Sequence, residues 1–236
     1  MRFFLIKLAG TVLWLSGTPA VAQTVLLNGN VAADTARQTF GPNRRLFRHL
    51  YVGYTAVIGP SPDGAPVRYG VSGTVLVGLR HKLRLTQSLA VGADVRYARH
   101  TYALRQTQQK VLPSAALHHR ESLVWQRAES EVWLRLNAGR RGNAIGNYLD
   151  VAGWGGWVMG TAHHTDDRPG SGPARRVLTT ERGLRYLNRW AYGAGARLGA
   201  GRYAVQTRYR FSDVFASNSL YPELPRWEAG LEIGLF

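Results

Sequence analysis

The sequence has no cysteine, almost no lysine and, beyond its first residues, no long apolar run. Without cysteine an exported chain has no disulfide framework, so its stability must come from a closed hydrogen-bonded sheet or a large core. No segment after residue 22 reaches the ~20 apolar residues that a membrane-spanning helix needs, which excludes helical spanning and leaves spanning by strands open. The only lysines are Lys7, Lys82 and Lys110, so arginine carries nearly all of the positive charge.

The first 22 residues have the pattern of a secretory signal peptide. Arg2 and Lys7 form a basic start, an apolar run covers 8–15, and Ala20 and Ala22 form a small-x-small motif with cleavage after Ala22. A membrane anchor is the alternative, but the apolar run is too short for one. We therefore predict a signal peptide over 1–22, a periplasmic extension over 23–45 and one outer-membrane domain over 46–236.

Removal of Arg2 and Lys7 lowers the formal net charge from +16 to +14. A basic chain often binds nucleic acid. A signal peptide exports this chain from the compartment that contains nucleic acid, so we exclude nucleic acid as a partner. The remaining anionic partners are lipopolysaccharide phosphates and the carboxylates of the chain itself, both of which arginine can pair bidentately. A genome rich in arginine codons is an alternative source for part of the excess.

Alternation of apolar and polar residues with a period of two predicts strands. The pattern is clearest in 69–85, where Val75, Val77 and Leu79 alternate with Gly78 and Arg80. In 121–136 the first half is ambiguous, because its apolar residues fall on the other parity. Eight segments show the alternation: 48–58, 69–85, 89–102, 121–136, 148–159, 186–198, 203–211 and 227–236.

The connections between these segments alternate in length. Those after the second, fourth and sixth segments are short, and the other four are longer. Outer-membrane barrels separate periplasmic turns from extracellular loops in this way. The pattern predicts an all-β fold, a closed antiparallel eight-stranded transmembrane β-barrel with both termini periplasmic. Ten strands are the alternative if 23–45 supplies a pair, and a soluble barrel would point its apolar face inward instead.

The two faces of the predicted strands divide into a lipid-facing and a lumen-facing set. The lipid-facing set is Val75, Val77, Leu79, Val91, Val95, Tyr192, Val205, Tyr209, Leu231 and Ile233. The lumen charge network is Arg80, Lys82, Arg84, Asp94, Arg96, Glu131, Arg135, Asp150, Arg189, Arg197, Arg208, Arg210, Glu228 and Glu232. We expect Glu228 and Glu232 to meet Arg208 and Arg210, and these arginine–carboxylate pairs to fill so narrow a lumen. A narrow anion-preferring pore is the alternative.

The chain resembles small outer-membrane β-barrel proteins of the eight-stranded OmpA/OmpX size class. The segments 188–195, 209–213 and 224–227 are similar to the outer-membrane barrel families of Bacteroidetes, the PorT-like group among them. The resemblance implies a fold, a location in the cell outer membrane, and insertion by the barrel assembly machinery, but scarcely an activity. One departure concerns Phe236: a terminal aromatic usually faces lipid, whereas Phe236 shares parity with Gly234 and Glu232.

Other residue groups give weaker signals for chemistry. Ser217 follows Phe215 where a lipid A deacylase would have a histidine, so we predict no catalytic residues and no enzyme. His163 and His164 with two aspartates could collect a divalent metal, but adjacent histidines in a polar loop are more often solvated. We predict no metal and no cofactor. The predicted function is a structural or surface-interaction role, with lipopolysaccharide held by four basic residues of the rim: Arg168, Arg175, Arg176 and Arg185.

Overall fold

The computed structural model describes residues 40–139, 142–170, 174–217 and 219–236. Within these ranges the chain forms nine strands: β1 Leu46–Ile58, β2 Gly73–Arg84, β3 Leu89–Leu104, β4 Arg120–Ala138, β5 Asn147–Asp167, β6 Val177–Arg182, β7 Trp190–Ala200, β8 Tyr203–Arg210 and β9 Trp227–Leu235. No helix in the described part of the chain is long and apolar enough to cross a membrane.

Eight of the strands close into an antiparallel ring. Its order is β1-β2-β3-β4-β5-β7-β8-β9, and β9 pairs with β1 to complete it. The ring confirms the predicted fold class. Strand β6 lies outside the ring and pairs only with the last six residues of β5.

The two ends of the barrel differ in their connections. Three short connections, 85–88, 139–146 and 201–202, lie at one end, here named the short-turn end. The links from β1 to β2, from β3 to β4, from β5 through β6 to β7, and from β8 to β9 are longer and leave the strands at the other end, here named the long-loop end. The chain enters β1 and leaves β9 at the short-turn end, where Leu50 pairs with Leu235.

Several predicted strand boundaries were wrong at the long-loop end. Strand β5 continues to Asp167 instead of ending at residue 159, and 177–182 is a strand instead of part of a loop. Both segments lack a buried apolar face. Pairing with β4 orders the extension of β5, and pairing with that extension orders 177–182. The sixth predicted segment begins at Trp190 rather than at Tyr186. One extra residue, Met159, bulges where β5 passes the Gln126–Arg127 step of β4.

The predicted signal peptide, 1–22, lies outside the described residues, and so does most of the predicted extension 23–45. Its described part, 40–45, lies at the mouth of the short-turn end. There the Asn43 backbone N–H donates to the Asn143 carbonyl at 3.2 Å, and Lys82 Nζ donates to the Pro42 carbonyl. These contacts hold the entering chain against the barrel opening.

Candidate functional site in the barrel interior

Charged side chains fill the middle of the barrel. They form a set, here named the interior network, whose members are buried on the ring strands. Its members are Arg80, Lys82, Asp94, Arg96, Arg127, Glu129, Glu131, Arg135, Asp150, Arg197, Arg208, Arg210, Glu228 and Glu232. An eight-stranded barrel is just wide enough for side chains to fill it, so strands that are not neighbours can contact each other across the interior.

Asp94 on β3 organises one part of this network. Arg80 on β2 donates to both carboxylate oxygens of Asp94, with a closest approach of 2.7 Å, and also donates to Glu232 on β9. The Trp133 indole N–H donates to Asp94 Oδ1 at 2.7 Å. Arg197 Nη1 lies 3.4 Å from Asp94 Oδ2. These charge-assisted hydrogen bonds replace the hydration that the Asp94 carboxylate loses when it is buried.

Arg197 on β7 connects Asp94 to a second carboxylate pair. Its Nη1 lies 2.7 Å from Glu131, and its Nε donates to Asp150 at 3.2 Å. Arg135 on β4 binds Asp150 in a two-bond fork, at 2.7 and 2.8 Å. The Arg135 guanidinium also lies 3.6 Å from the centre of the Tyr148 ring, which adds a cation–π contact.

Glu129 on β4 organises the other part. Three arginines converge on its carboxylate: Arg96 Nε at 2.7 Å, Arg127 Nε at 2.9 Å and Arg208 Nη2 at 2.8 Å. Arg96 Nη1 also lies 2.7 Å from Glu131, which joins the two parts. Glu129 is therefore a buried anion that three cations share.

Glu228 on β9 lies above this cluster, toward the long-loop end. It accepts hydrogen bonds from the Thr55 and Thr74 hydroxyls at 2.6 and 2.9 Å, and His100 Nδ1 lies 3.1 Å away. The His100 ring stacks on Trp125, with ring centres 4.8 Å apart. This stack marks the change from a charged to an apolar interior.

An apolar cluster closes the long-loop end, and it is here named the long-loop cluster. Tyr102 within it donates its hydroxyl hydrogen to the Pro225 carbonyl at 2.6 Å. Arg210 reaches up to Glu223 at 2.8 Å and holds the β8–β9 loop over the opening. The cluster contains Val57, Ala65, Val67, Tyr102, Leu104, Leu112, Leu123, Trp125, Leu187, Val214, Phe215 and Leu224.

A smaller apolar cluster of Phe47, Ile145, Tyr148 and Ala204 lies at the short-turn end. The Phe236 ring packs edge-on against Phe47, with centres 5.4 Å apart. The inward parity of Phe236 therefore places its ring at the mouth of the barrel and not on the outer face.

The outer face of the ring has the opposite polarity to the interior. Its exposed apolar side chains form a continuous surface, here named the apolar belt, that includes Val77, Val95, Val205 and Leu231. Exposed aromatic side chains border the belt toward the long-loop end: Tyr54, Trp157, Trp190, Tyr192, Phe211 and Trp227. Aromatic girdles of this kind flank the apolar band of membrane barrels.

The predicted lumen residues are buried inside the ring except for two. Arg84 is half-buried at the short-turn end of β2, and Arg189 is exposed just before β7. The expected pairing of Glu228 and Glu232 with Arg208 and Arg210 differs from the contacts in the structure. Arg208 binds Glu129 on the far side of the barrel instead, and Glu232 binds Arg80.

The predicted charge network did not include several residues that lie in the interior. Arg127 lies in the half of β4 whose parity was ambiguous, because Leu123 and Trp125 also face inward there. Glu129 lies on the polar face of the unambiguous half but was left out of the predicted charge network. The signal that could have identified them is the unbroken alternation of 121–135, in which the inward residue type changes from apolar to charged. His100 shares the parity of Asp94 and Arg96, but its contact with Glu228 depends on the three-dimensional register.

A second polar cluster, here named the outer cluster, lies beyond the belt, between the β3–β4 loop and the extension of β5. Glu121 accepts hydrogen bonds from Lys110 and from Gln106 at 2.8 Å. His163 Nε2 lies 2.8 Å from Glu121, and its Nδ1 lies 3.3 Å from Glu181. Burial lowers the pKa of His163, but the hydrogen bonds to Glu121 and Glu181 outweigh it and raise that pKa above its ordinary 6.5.

The two adjacent histidines do not share a site. They lie on β5 rather than in a loop, so His163 faces the outer cluster and His164 faces outward, 2.9 Å from Thr180. Among the described residues, no group of three or more His, Asp or Glu side chains is arranged to hold a metal ion. Phe215, two residues before Ser217, is buried in the long-loop cluster.

The four predicted rim arginines occupy different environments. Arg176 is held by Asp166 in a two-bond fork, at 2.7 and 2.8 Å. Arg168 and Arg175 are exposed near the tip of the β5–β6 hairpin. Arg185 lies on the segment that leads from β6 to β7 and lines a groove on the outer face.

No family model and no curated protein matches the chain. Among solved structures, the crystal structure of the N-terminal β-barrel domain of Pseudomonas aeruginosa OprF is similar to it at a TM-score of 0.26 and 10% identity. That likeness covers 80% of this chain and 96% of that chain. A score this low adds nothing to the fold, which rests on the strand pairing described above.

Proposed function

We propose that this chain is an integral outer-membrane β-barrel protein whose interior is closed and whose long loops face the outside of the cell. The observation that carries the proposal is the reversed polarity of the ring: charges inside and apolar side chains outside. A water-soluble barrel would expose its polar face and bury its apolar face. The proposed role is structural or interactive, and the resemblance to PorT-like families stays a prediction.

Membrane insertion is supported by the apolar belt and its aromatic border. Monomeric soluble proteins rarely expose contiguous apolar patches beyond a few hundred Å². Here the exposed side chains include Val95 at 63%, Val132 at 66% and Leu231 at 63% of their full areas, on different strands of the ring. A belt that encircles a closed sheet is the surface that a bilayer covers.

A structural role, rather than conduction, is supported by how the interior is filled. Arginines on β7 and β8 pair across the barrel with Asp94 and Glu129. The long-loop cluster lies over these pairs at one end, and Phe47 with Tyr148 lies below them at the other. Because arginines outnumber carboxylates in the interior, an anion-preferring pore is the alternative. A conductance recording distinguishes the pore from a closed interior.

An interaction role is supported by the part of the sheet that projects beyond the belt. Strands β4, β5 and β6 continue as a three-stranded extension that carries Arg176 and the outer cluster. Lipopolysaccharide is the partner proposed for this basic surface, and the barrel assembly machinery is the partner proposed for insertion. Loops on a rigid scaffold are where binding residues concentrate.

Cell fractionation and gel mobility test the proposal. We expect the full chain in the outer-membrane fraction, and we expect it to migrate differently on gels before and after boiling, as closed barrels do when they resist detergent. Recovery as a soluble periplasmic protein with one mobility would overturn the proposal.

A further inference from the structure

A groove opens on the outer face of the barrel where β5 changes its neighbour. Strand β7 pairs with β5 only as far as the Trp157–Trp190 pair, and β6 pairs with β5 only from Ala162 onward. The segment 183–189 crosses the gap between them. It is fixed by hydrogen bonds from Leu184 N to Thr161 Oγ1 at 2.7 Å and from Val158 N to the Arg189 carbonyl at 2.8 Å.

The groove has a volume of about 1000 Å³ and two chemically different parts. Its lower part is apolar: the side chains of Trp157 and Met159 are 40% and 55% exposed and continue the apolar belt upward. Trp190 packs edge-on against Trp157, with ring centres 4.8 Å apart, and widens this apolar floor.

The upper part of the groove is basic. Arg99, Arg182, Arg185 and Arg189 line it, and all four are exposed. None of the four has a carboxylate partner within ion-pair distance among the described residues, whereas Arg176 nearby is held by Asp166. No described aspartate or glutamate lines the groove.

His164 lies in the same groove, and the direction of its pKa shift indicates the sign of the charge there. Burial lowers the pKa of His164, and the positive charges of Arg99, His163 and Arg182 lower it further. The groove therefore presents unpaired positive charge directly above an apolar floor at the outer edge of the belt.

We propose that this groove binds a phosphorylated lipid of the outer leaflet, with the arginines holding phosphate oxygens and Trp157 and Met159 contacting an acyl chain. The inference rests on the proposed membrane location. It places the lipid on the barrel wall, whereas the rim arginines predicted from the sequence lie mostly near the tip of the β5–β6 hairpin. A free anion would need only the basic part, but the apolar floor fits the chain that a lipid phosphate carries. Arginine suits the headgroup because its planar fork binds phosphate bidentately.

The test uses the full chain, refolded in detergent and titrated with purified bisphosphorylated lipid A while bound lipid is counted by native mass spectrometry. The groove variant combines R182E and R185E. The matched control combines R168E and R175E, which makes the same change of charge at exposed hairpin positions outside the groove. We expect the groove variant to weaken lipid binding at least about tenfold and the control to weaken it less than about threefold.

Equal losses in both variants, or no loss in either, would overturn the proposal. Displacement of lipid A by equimolar inorganic phosphate would also overturn it, because the site would then be one for a free anion. If the glutamate pair prevents folding, R99Q and R189Q replace it, and the same loss is expected. Gel mobility before and after boiling separates the two claims: a heat-modifiable barrel without lipid binding contradicts only the groove, and a protein that is not heat-modifiable contradicts both.

Discussion

Arg208 on β8 donates a hydrogen bond to Glu129 on β4 at 2.8 Å, although two strands of the ring separate them. The bond therefore crosses the interior rather than following the wall. Arg96 and Arg127 converge on the same carboxylate, so Glu129 is the anion that holds opposite walls of the barrel together.

The first prediction concerns Glu129. We expect E129Q to destabilise the barrel by about 3–5 kcal/mol, because it leaves buried arginines without their counter-ion. Urea unfolding in detergent or lipid measures the change. E181Q is the matched control, since Glu181 is exposed and its loss should move the free energy of unfolding by less than about 1 kcal/mol. Equal midpoints for E129Q and the unsubstituted chain would contradict the role assigned to Glu129.

The second prediction concerns the apolar belt. Val77 faces outward in mid-strand and is 47% exposed, so V77R places a charge in the bilayer and should cost about 2–4 kcal/mol on refolding in lipid. L178R on β6 is the control, because Leu178 is 65% exposed but lies beyond the belt. If V77R refolds as stably as L178R, the outer face does not contact lipid.

The third prediction concerns a close approach between neighbouring strands. A Cβ atom on Gly92 would lie 2.2 Å from the His81 carbonyl oxygen and 2.1 Å from the Trp133 ring. We expect G92A to destabilise the barrel by about 1–3 kcal/mol, since backbone and a buried indole must both move. G153A is the control, because no atom lies within 4 Å of its added Cβ. Equal thermal stability of the two variants would show that β2, β3 and Trp133 are less tightly packed than described.

The fourth prediction concerns the pH response of the outer cluster. The raised pKa of His163 means that its protonated form stabilises the β5–β6 extension fully below pH 6.5, and that this stabilisation is lost as the pH rises through the raised value. Burial raises the pKa of Glu121, but hydrogen bonds from His163, Lys110 and Gln106 lower it overall below 4.5, so its contribution is lost only in acid. The amides of the extension should therefore be most protected from hydrogen exchange between the lowered pKa of Glu121 and the raised pKa of His163.

Hydrogen exchange of the amides in 162–167 and 177–182, corrected for the intrinsic pH dependence, measures this response. We expect protection to fall as the pH rises above 6.5, and we expect H163Q to remove the dependence while the ring strands stay protected. A pH response that survives in H163Q would assign the effect to another group.

The sequence predicts the ring well because lipid-facing and interior residues must alternate along every ring strand. It fails at β6, whose residues 177–182 are exposed on both faces and so carry no alternation. It is ambiguous at Leu123 and Trp125, because the interior itself becomes apolar at the long-loop end. Neither the cross-barrel pair of Arg208 with Glu129 nor the groove at 183–189 follows from strand order, since both depend on the width and register of the closed ring.

The central claim is that a membrane-embedded barrel is closed along its interior, and a planar-bilayer recording of the purified full chain tests it most directly. Paired arginines and carboxylates fill the middle of the barrel, and apolar clusters close both ends. We expect insertion without resolved conductance steps. Steady anion-selective steps that vanish in R208E would contradict the closed interior and establish a pore.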